Sequence, residues 1–156
     1  MTQTEFLQDL ETFLQEWHNE SPTIGVHTSG STGAPKAMQV EKQRRMASAH
    51  LTCSFLGLKK GDTALLCMPL GYIAGKMVVV RSLVAGLRLI PVAPCGHPLQ
   101  NLKEAPTFAA MIPMQVYNSL QVPEERTLLK EIKQLIIGGG AIDDQLANAL
   151  KDFSNN

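Results

Sequence analysis

The sequence predicts an α/β fold in which a mostly parallel sheet is flanked by helices on both faces. Three observations predict it: predicted strands and helices alternate along the chain, the strands are short apolar runs, and the helices are amphipathic. Parallel strands that are covered on both faces have this pattern. The 156 residues, 44% of them apolar and 18% charged, are enough for one domain with its own core.

The first elements are predicted within residues 4–40. Apolar residues spaced by three and four predict a helix over residues 4–18, and the polar stretch from Asn19 to Pro22 ends it. The apolar stripe of this helix comprises Phe6, Leu7, Leu10, Phe13, Leu14 and Trp17. The β-branched segment 23–27 predicts a strand, a Gly/Ser/Thr loop runs from Thr28 to Lys36, and a short strand is expected near residues 37–40.

The middle of the chain predicts a helix, a strand, a second helix and a second strand. Residues 42–56 suit a helix, and 63–68 suit a buried strand. One face of the first helix is expected to carry Met46, Ala49, His50, Cys53 and Leu56. A helix over 76–85 and a strand over 87–92 follow.

The last third predicts a strand, two helices and a final strand–helix pair. The strand covers residues 108–112, and helices over 113–120 and 123–131 each begin with a proline, which suits a first helical turn. A strand over 135–137 runs into glycines, and Asp143 is expected to cap a last helix of about ten residues. Ligands of open α/β sheets bind beyond the carboxyl ends of the strands, where both glycine-rich segments are expected.

The Gly/Ser/Thr loop has the chemistry that suits a polyphosphate. It reads Thr28, Ser29, Gly30, Ser31, Thr32, Gly33, Ala34, Pro35 and Lys36. Its glycines let backbone N–H groups approach a ligand, its hydroxyls can donate to phosphate oxygens, and Lys36 adds a positive charge. The loop is neither a Walker A motif nor a dinucleotide fingerprint, because it lacks the spacing of both. A flexible surface loop is the alternative interpretation.

These nine residues resemble the motif [ST]-S-G-[ST]-T-G-x-P-K of the adenylate-forming superfamily, and they match it at every fixed position. The superfamily includes acyl-CoA synthetases, luciferases and the adenylation domains of peptide synthetases. The resemblance implies that Thr28, Ser29, Gly30, Ser31, Thr32, Gly33 and Lys36 hold the β- and γ-phosphates of ATP. It also implies that a carboxylate attacks the α-phosphate, and that ATP, Mg²⁺ and coenzyme A take part.

Two further segments follow in the order that the superfamily has them. Residues 68–75 are similar to a P-L-[FY]-H-x-x-G stretch that borders the acyl pocket, with Tyr72 where many members have His. The segment Gly138, Gly139, Gly140, Ala141 resembles a G-G-[AG]-[AP] segment that packs against adenine. A core loop and a structural glycine turn are the alternative interpretations of these two segments when each is taken alone.

Within the superfamily, the chain is most similar to the o-succinylbenzoate–CoA ligase subfamily, whose reaction is a step toward menaquinone. The resemblance implies an acyl site with Tyr72, Gly75, Lys76 and Arg81, in which Arg81 meets the second carboxylate of the substrate. A solvated helix face is the alternative for Arg81. Another acyl- or aryl-CoA ligase and a non-catalytic nucleotide-binding module are the alternative functions.

The resemblance covers nearly all of residues 23–150 but only part of the family enzyme. Residues 1–156 are therefore expected to be an N-terminal fragment of the large AMP-binding domain, without the small C-terminal domain. Residues 141–156 match neither the later Y-G-x-T-E motif, whose Glu helps to bind Mg²⁺, nor the later Lys used in adenylation. We therefore expect no catalytic residue and no metal ligand in this chain, and the fragment alone should be inactive.

Charge and cysteine content limit the expected partners and compartment. Lys and Arg balance Asp and Glu at 14 each, so no net charge attracts nucleic acid or an acidic membrane. Residues 1–20 do not resemble a secretory signal, and no apolar run approaches the roughly 18–20 residues of a membrane helix. The three cysteines lack metal-binding or disulfide spacing, which favours reduced thiols and the cytoplasm. A partial domain can also expose an apolar face and self-associate.

Overall fold

The computed structural model describes residues 1–28 and 36–138. Its helices are α1 (Gln3–His18), α2 (Lys42–Leu56), α3 (Ile73–Ala85), α4 (Pro113–Leu120) and α5 (Pro123–Glu131). Its strands are β1 (Thr23–Thr28), β2 (Lys36–Glu41), β3 (Thr63–Leu66), β4 (Arg88–Pro91), β5 (Phe108–Met111) and β6 (Gln134–Ile137). The helix that was predicted after Asp143 lies outside the described residues.

Four strands form a parallel sheet in the order β4-β3-β5-β6. Ala64 in the second strand pairs with Leu89 on one side and with Phe108 on the other. Helix α3 connects two adjacent parallel strands, β3 and β4, so it runs in the direction opposite to theirs. The predicted α/β class and its parallel sheet are therefore confirmed.

The sheet is covered by helices on both faces, and each face has its own apolar cluster. Successive strand residues point to opposite faces. Ala64 and Leu66 join the cluster that includes buried residues of α1, α2 and α3, while Leu65 joins the cluster that includes buried residues of α4 and α5. Five of the six residues predicted for the α1 stripe are buried or pack against this first cluster, and Leu7 is exposed.

Strands β1 and β2 stand apart from the parallel sheet as an antiparallel pair. The register joins Thr23 to Glu41 at one end and Thr28 to Lys36 at the other. A parallel crossover needs about a dozen or more residues, and the connection 29–35 is shorter than that. The short connection therefore explains why these two strands depart from the parallel arrangement of the others.

Two helix predictions differ from the structure in detail. Helix α3 begins at Ile73 rather than at Lys76, because Gly75, which had suggested a loop, lies within the helix. On α2, Met46 and His50 are exposed, whereas Ala49 and Cys53 are buried. Lys42 is also buried there, and its Nζ donates to Asn19 Oδ1 at 2.7 Å. This contact pairs the buried Lys42 with the residue that follows α1.

Helix α2 also exposes large apolar side chains at Leu51 and Phe55. Exposed apolar side chains on one helix are a surface through which a protein can associate. Self-association of this chain stays a prediction.

Candidate functional site

The predicted site segments that the structure describes meet at the carboxyl edge of the parallel sheet. Pro69 to Tyr72 follows β3, and Gly138 follows β6. Strand β1 reaches the same edge, because the His27 N–H donates to the Gly71 carbonyl at 3.3 Å and His27 forms a parallel bridge with Tyr72. This is the edge at which ligands of open α/β sheets bind.

The predicted phosphate loop begins and ends at this edge. Thr28 ends β1, Lys36 begins β2, and the two residues are register partners. Lys36 is exposed. The residues between them that were predicted to bind phosphate, Ser29, Gly30, Ser31, Thr32 and Gly33, lie outside the described residues. The structure therefore gives the two ends of the loop and the neighbours of those ends.

Tyr72 and Gly75 form the start of α3, next to the end of β1. Tyr72 is the N-cap of the helix and is 37% exposed at the sheet edge. Gly75 lies against the backbone of the preceding loop: a Cβ added to it would overlap the Pro69 carbonyl oxygen and come within 3.2 Å of the Met68 oxygen. Only a residue without a side chain allows this contact, so glycine fixes the position of the helix start.

Gly138 lies two strands away from Met68 along the edge. The pairings of Leu66 with Ala110 and of Ala110 with Ile136 align β3 with β6, and the Gly138 N–H donates to the Met111 carbonyl at 3.1 Å. Neighbouring strands are about 4.8 Å apart, so Gly138 lies roughly 10 Å from the loop after β3. The rest of the predicted adenine segment, Gly139, Gly140 and Ala141, lies outside the described residues.

Lys76 lies between α3 and α1. Its Nζ is 5.0 Å from the centroid of the Phe13 ring, a cation–π contact. Burial lowers the pKa of Lys76, and the nearby Glu16 carboxylate acts in the opposite direction. The side chain therefore has partners on α1, and it is also close to the end of β1.

Lys76 also lines a cavity of about 640 Å³ beside β1, here called the β1 cavity. The cavity extends from Glu16 and Asn19 at the end of α1 to His27 and Gly71 at the sheet edge. Its ionisable lining residues are Glu16, His27 and Lys76, and its uncharged polar ones are Asn19, Ser21, Thr23 and Gln39. The β1 cavity adjoins the predicted phosphate loop.

Arg81 lies further along α3, in the interface with α2. It is nine residues after Tyr72, which corresponds to about 13 Å along a helix that runs away from the carboxyl edge. The Arg81 carbonyl accepts from Cys53 Sγ at 3.7 Å. Burial lowers the pKa of the Arg81 guanidinium, and Cys53 opposes the shift. Its Nε is buried and has no hydrogen-bond partner among the described residues. An unpaired buried donor of this kind is unusual and suits an anionic acceptor.

Arg45 on α2 is a second such arginine, which was not predicted from the sequence. Its Nε is also buried without a hydrogen-bond partner in the described part of the chain. Arg45 precedes the buried residues Ala49 and Cys53 by four and eight residues, which puts it on the same side of the helix. That spacing was the available signal.

A second cavity, of about 290 Å³, opens beside the ends of β3, β4 and β5 and is here called the Cys95 cavity. It is lined by Cys67, Met68, Pro69, Pro94, Cys95, Gly96, Ile112, Met114 and Gln115. Gln115 is buried, and its side-chain oxygen accepts from the Ile112 N–H at 3.0 Å. The Cys95 cavity is therefore a mostly apolar pocket at the same sheet edge as the predicted site.

Within residues 1–28 and 36–138, no group of three or more His, Cys, Asp or Glu side chains is placed to hold a metal ion. Across the same residues, no helix has the length and apolar character needed to cross a bilayer.

Comparison with known proteins identifies similar enzymes over most of the chain. A family model described as AMP-binding enzyme matches residues 3–156. The chain is 31% identical over 125 residues to the 2-succinylbenzoate–CoA ligase of Escherichia coli (strain K12), an alignment with 80% of this chain and 26% of that ligase. It is 32% identical over 139 residues to the ligase of the same name from Enterococcus faecalis (strain ATCC 700802 / V583), with 86% of this chain and 29% of that ligase. The chain thus spans less than a third of the length of these curated relatives.

A solved structure also resembles the fold. It is that of an acyl-CoA synthetase (AMP-forming)/AMP-acid ligase II-like protein from Dyadobacter fermentans DSM 18053, with a TM-score of 0.86 and 32% sequence identity. The superposition covers 94% of this chain and 42% of the other chain.

Proposed function

Because the chain belongs to the AMP-binding enzyme family, we propose that it forms the nucleotide-binding part of an ATP-dependent acid–thiol ligase. The acid is o-succinylbenzoate, which is the acid in the names of the two bacterial ligases. Residues 1–156 are the N-terminal part of the large AMP-binding domain in this proposal. The product is o-succinylbenzoyl-CoA, an intermediate toward menaquinone.

The proposed reaction has two steps. In the first, a carboxylate oxygen of the acid attacks the α-phosphorus of ATP, the bond to the β-phosphate oxygen breaks, and pyrophosphate leaves. In the second, the thiolate of coenzyme A attacks the acyl carbon, and AMP leaves with the electrons of the broken acyl–oxygen bond. The chain's own contribution is to hold and orient the reactants, which can account for several kcal/mol of the barrier.

The observation that carries the proposal is the attachment of the β1–β2 pair to the sheet edge. The Thr28–Lys36 pairing fixes both ends of the phosphate-loop sequence, and the His27–Gly71 hydrogen bond holds them beside the start of α3. In the proposal, Thr28, Ser29, Gly30, Ser31, Thr32, Gly33 and Lys36 bind the β- and γ-phosphates. Adenine packs on the backbone of Gly138, Gly139, Gly140 and Ala141. Mg²⁺ accompanies ATP in the proposal.

The acyl part of the proposal places o-succinylbenzoate near Tyr72, Gly75, Lys76 and Arg81. The buried, unpaired Nε of Arg81 supports it, because a carboxylate would satisfy that donor. The proposal requires that the acid reach Arg81, which lies about 13 Å from Tyr72 along α3. Lys76 is a weaker candidate for contact with the acid, because Phe13 and Glu16 already surround it.

A ligase for a different acid is the second candidate. The Dyadobacter protein supports it, since its description as an acyl-CoA synthetase specifies no acid. The two candidates differ in whether the second carboxylate of the substrate contributes to recognition.

ATP–pyrophosphate exchange by the full natural gene product tests the proposal. We expect exchange with o-succinylbenzoate, and Lys36→Ala should reduce it by roughly 10²–10³-fold because a preorganised charge is lost. Lys59→Ala, which changes an exposed lysine in the turn after α2, is the matched control and should leave exchange unchanged. Absence of ATP-dependent exchange with any tested carboxylate would contradict the ligase proposal.

The identity of the acid is tested with an analogue that lacks the succinyl carboxylate. If Arg81 binds that carboxylate, Arg81→Ala should raise KM for o-succinylbenzoate and have little effect on KM for the analogue. Arg88→Ala, at an exposed position of β4, is the control. Equal turnover of both acids by the unmodified protein would favour the second candidate.

A further inference from the structure

Two cysteines line the Cys95 cavity on the same side of the sheet. Cys67 directly follows β3, and Cys95 lies in residues 92–98, here called the Cys95 segment, which follows the neighbouring strand β4. The segment begins in register with the sheet, because the Val92 N–H donates to the Leu66 carbonyl at 2.8 Å. Cys95 is therefore three residues beyond the point where the two strands are still paired.

One side chain holds the backbones of both cysteines. Gln115 Nε2 donates to the Cys67 carbonyl at 3.1 Å and to the Cys95 carbonyl at 3.0 Å. The two carbonyl oxygens therefore lie within about 6 Å of each other. A disulfide usually needs Cα atoms about 4.4–6.8 Å apart, and a carbonyl oxygen is about 2.4 Å from its own Cα. A shift of at most about 4 Å in the Cys95 segment would then bring the two Cα atoms within the usual range of a disulfide.

The two thiols have different environments. Cys95 is exposed, whereas Cys67 is 1% exposed and its Sγ donates to the Ala110 carbonyl at 3.5 Å. Burial raises the pKa of the Cys67 thiol to about 12, and the charge of Cys95 contributes to the same shift. An exposed thiol beside a buried one can be oxidised first and then be attacked by its neighbour.

We propose that Cys95 and Cys67 form a peroxide-sensitive thiol pair in which Cys95 is oxidised first and Cys67 then closes a disulfide across the Cys95 cavity. The Cys95 thiolate attacks one oxygen of a hydroperoxide, the O–O bond breaks, and Cys95 becomes a sulfenic acid while water or an alcohol leaves. The Cys67 thiolate then attacks the sulfenic sulfur, and a second water leaves. Two thiols lose two electrons in total, and the hydroperoxide accepts both.

The disulfide would change the shape of the sheet edge. It would link the end of β3 to the segment after β4 and fill part of the cavity with the S–S bridge. The modification depends only on these two cysteines and the oxidant, so it does not require the ligase function.

Peptide mass spectrometry after treatment with hydrogen peroxide tests the proposal. We expect a Cys67–Cys95 cross-link within one chain and a free thiol at Cys53. Cys53→Ser is the matched control, because Cys53 is also buried but lies between α2 and α3, and this variant should form the same cross-link. With Cys67→Ala, the sulfenic acid on Cys95 should persist and be trapped by dimedone, and Cys95→Ser should yield neither product. Circular dichroism before oxidation identifies any variant that has lost its fold.

The pH dependence gives a second measurement on the unmodified protein. Below its pKa, the thiolate fraction of Cys67 rises about tenfold per pH unit, so closure of the disulfide should accelerate about a hundredfold from pH 7 to pH 9. Three intact thiols after oxidation, a cross-link that includes Cys53, or disulfides only between separate chains would each overturn the proposal.

Discussion

At the scale of single residues, Gly75 shows how a glycine fixes the position of a helix. It lies in the first turn of α3, where its missing side chain leaves room for the Pro69 carbonyl. The sequence identified Gly75 through its place in a motif, but that motif gave no physical reason for the glycine. The reason is a contact with backbone atoms, which the one-dimensional pattern of side chains does not contain.

Gly75→Ala should destabilise the protein in spite of alanine's better helix propensity. Alanine gains up to about 1 kcal/mol in a helix, whereas forced overlap in a packed region costs roughly 1–3 kcal/mol. The overlap is with backbone, which cannot rotate away, so we expect a net loss of about 1–2 kcal/mol. Urea unfolding of the purified variant measures it.

Gly71→Ala is the matched control for this experiment. A Cβ added to Gly71 meets no atom within 4 Å. The free energy of unfolding of this variant should therefore lie within about 0.5 kcal/mol of that of the unmodified protein. Equal stability of the two variants would show that the loop after β3 can move away from α3.

The arginines mark the limit of residue-level inference. The position of Arg81 followed from its spacing after Tyr72, but its burial against α2 depends on how two helices pack. Arg45 was missed for the same reason, since its spacing from Ala49 and Cys53 was visible while the unpaired Nε was not. Burial of a charged group is a tertiary property, and local sequence patterns do not specify it.

At the scale of elements, helices α4 and α5 hold the Cys95 segment through polar side chains. Besides Gln115, Asn118 Nδ2 donates to the Gly96 carbonyl at 3.1 Å. The Glu125 side chain is buried, and one of its carboxylate oxygens lies 3.0 Å from His97 Nδ1. The same oxygen also accepts from the Ser119 hydroxyl. A segment without helix or strand of its own is thus ordered by side chains of the two helices beneath it.

Gln115→Leu should destabilise the protein by about 2–3 kcal/mol. The change removes the partner of three backbone groups, those of Cys67, Cys95 and Ile112, and each buried polar group left unpaired costs about 1–3 kcal/mol before relaxation. Thermal unfolding followed by circular dichroism measures the loss. Gln121→Leu, at an exposed position of the same region, should change stability by no more than about 0.5 kcal/mol. A similar effect from both variants would contradict the assigned role of Gln115.

His97→Ala should lower the free energy of unfolding by about 1–2 kcal/mol, because the buried Glu125 carboxylate loses a hydrogen-bonding partner. The loss is limited because the imidazole itself is partly exposed. Denaturant unfolding at pH 7 provides the measurement. The exposed His50→Ala serves for comparison and should be nearly neutral. If His97→Ala were also neutral, the pairing with Glu125 would contribute no net stability.

Element boundaries were predicted well where a chemical signal marks the end. Both helices that begin with proline have the predicted bounds, as does α2, which Gly57 ends with a positive φ of 68°. The start of α3 was predicted three residues too late, because Gly75 within its first turn resembles a loop residue. The antiparallel pairing of β1 with β2 was also not predicted, since an apolar pattern does not give the direction of the partner strand.

At the scale of the whole molecule, α1 connects the β1–β2 pair with the parallel sheet. Phe6, Phe13 and Trp17 of α1 are buried in the same cluster as Ile24 of β1 and Leu66 of β3. Gln3 adds a polar contact at the end of β4, where its Nε2 donates to the Pro91 carbonyl at 2.9 Å. The family resemblance, the α/β class and this helix were all predicted from the sequence, and each is confirmed.

Phe13→Ala should be among the most damaging substitutions. The ring is 2% exposed, packs 6.1 Å from Trp17 and lies under Lys76 Nζ, so we expect a loss of about 3–5 kcal/mol. Leu7→Ala, at an apolar position of the same helix that is 43% exposed, should cost less than about 1 kcal/mol. Guanidinium unfolding of both variants gives the difference, and a small loss for Phe13→Ala would show that α1 contributes little to the core.

The hydrogen bond between the His27 N–H and the Gly71 carbonyl has a thermodynamic consequence for the proposed ligase. The strand that precedes the nucleotide loop and the turn that begins α3 share this backbone contact. A ligand that displaces one of them therefore also acts on the other. Reciprocity then requires that the acid change the affinity for ATP by the same factor by which ATP changes the affinity for the acid. Two titrations, each carried out with and without the other ligand, must therefore give one coupling constant.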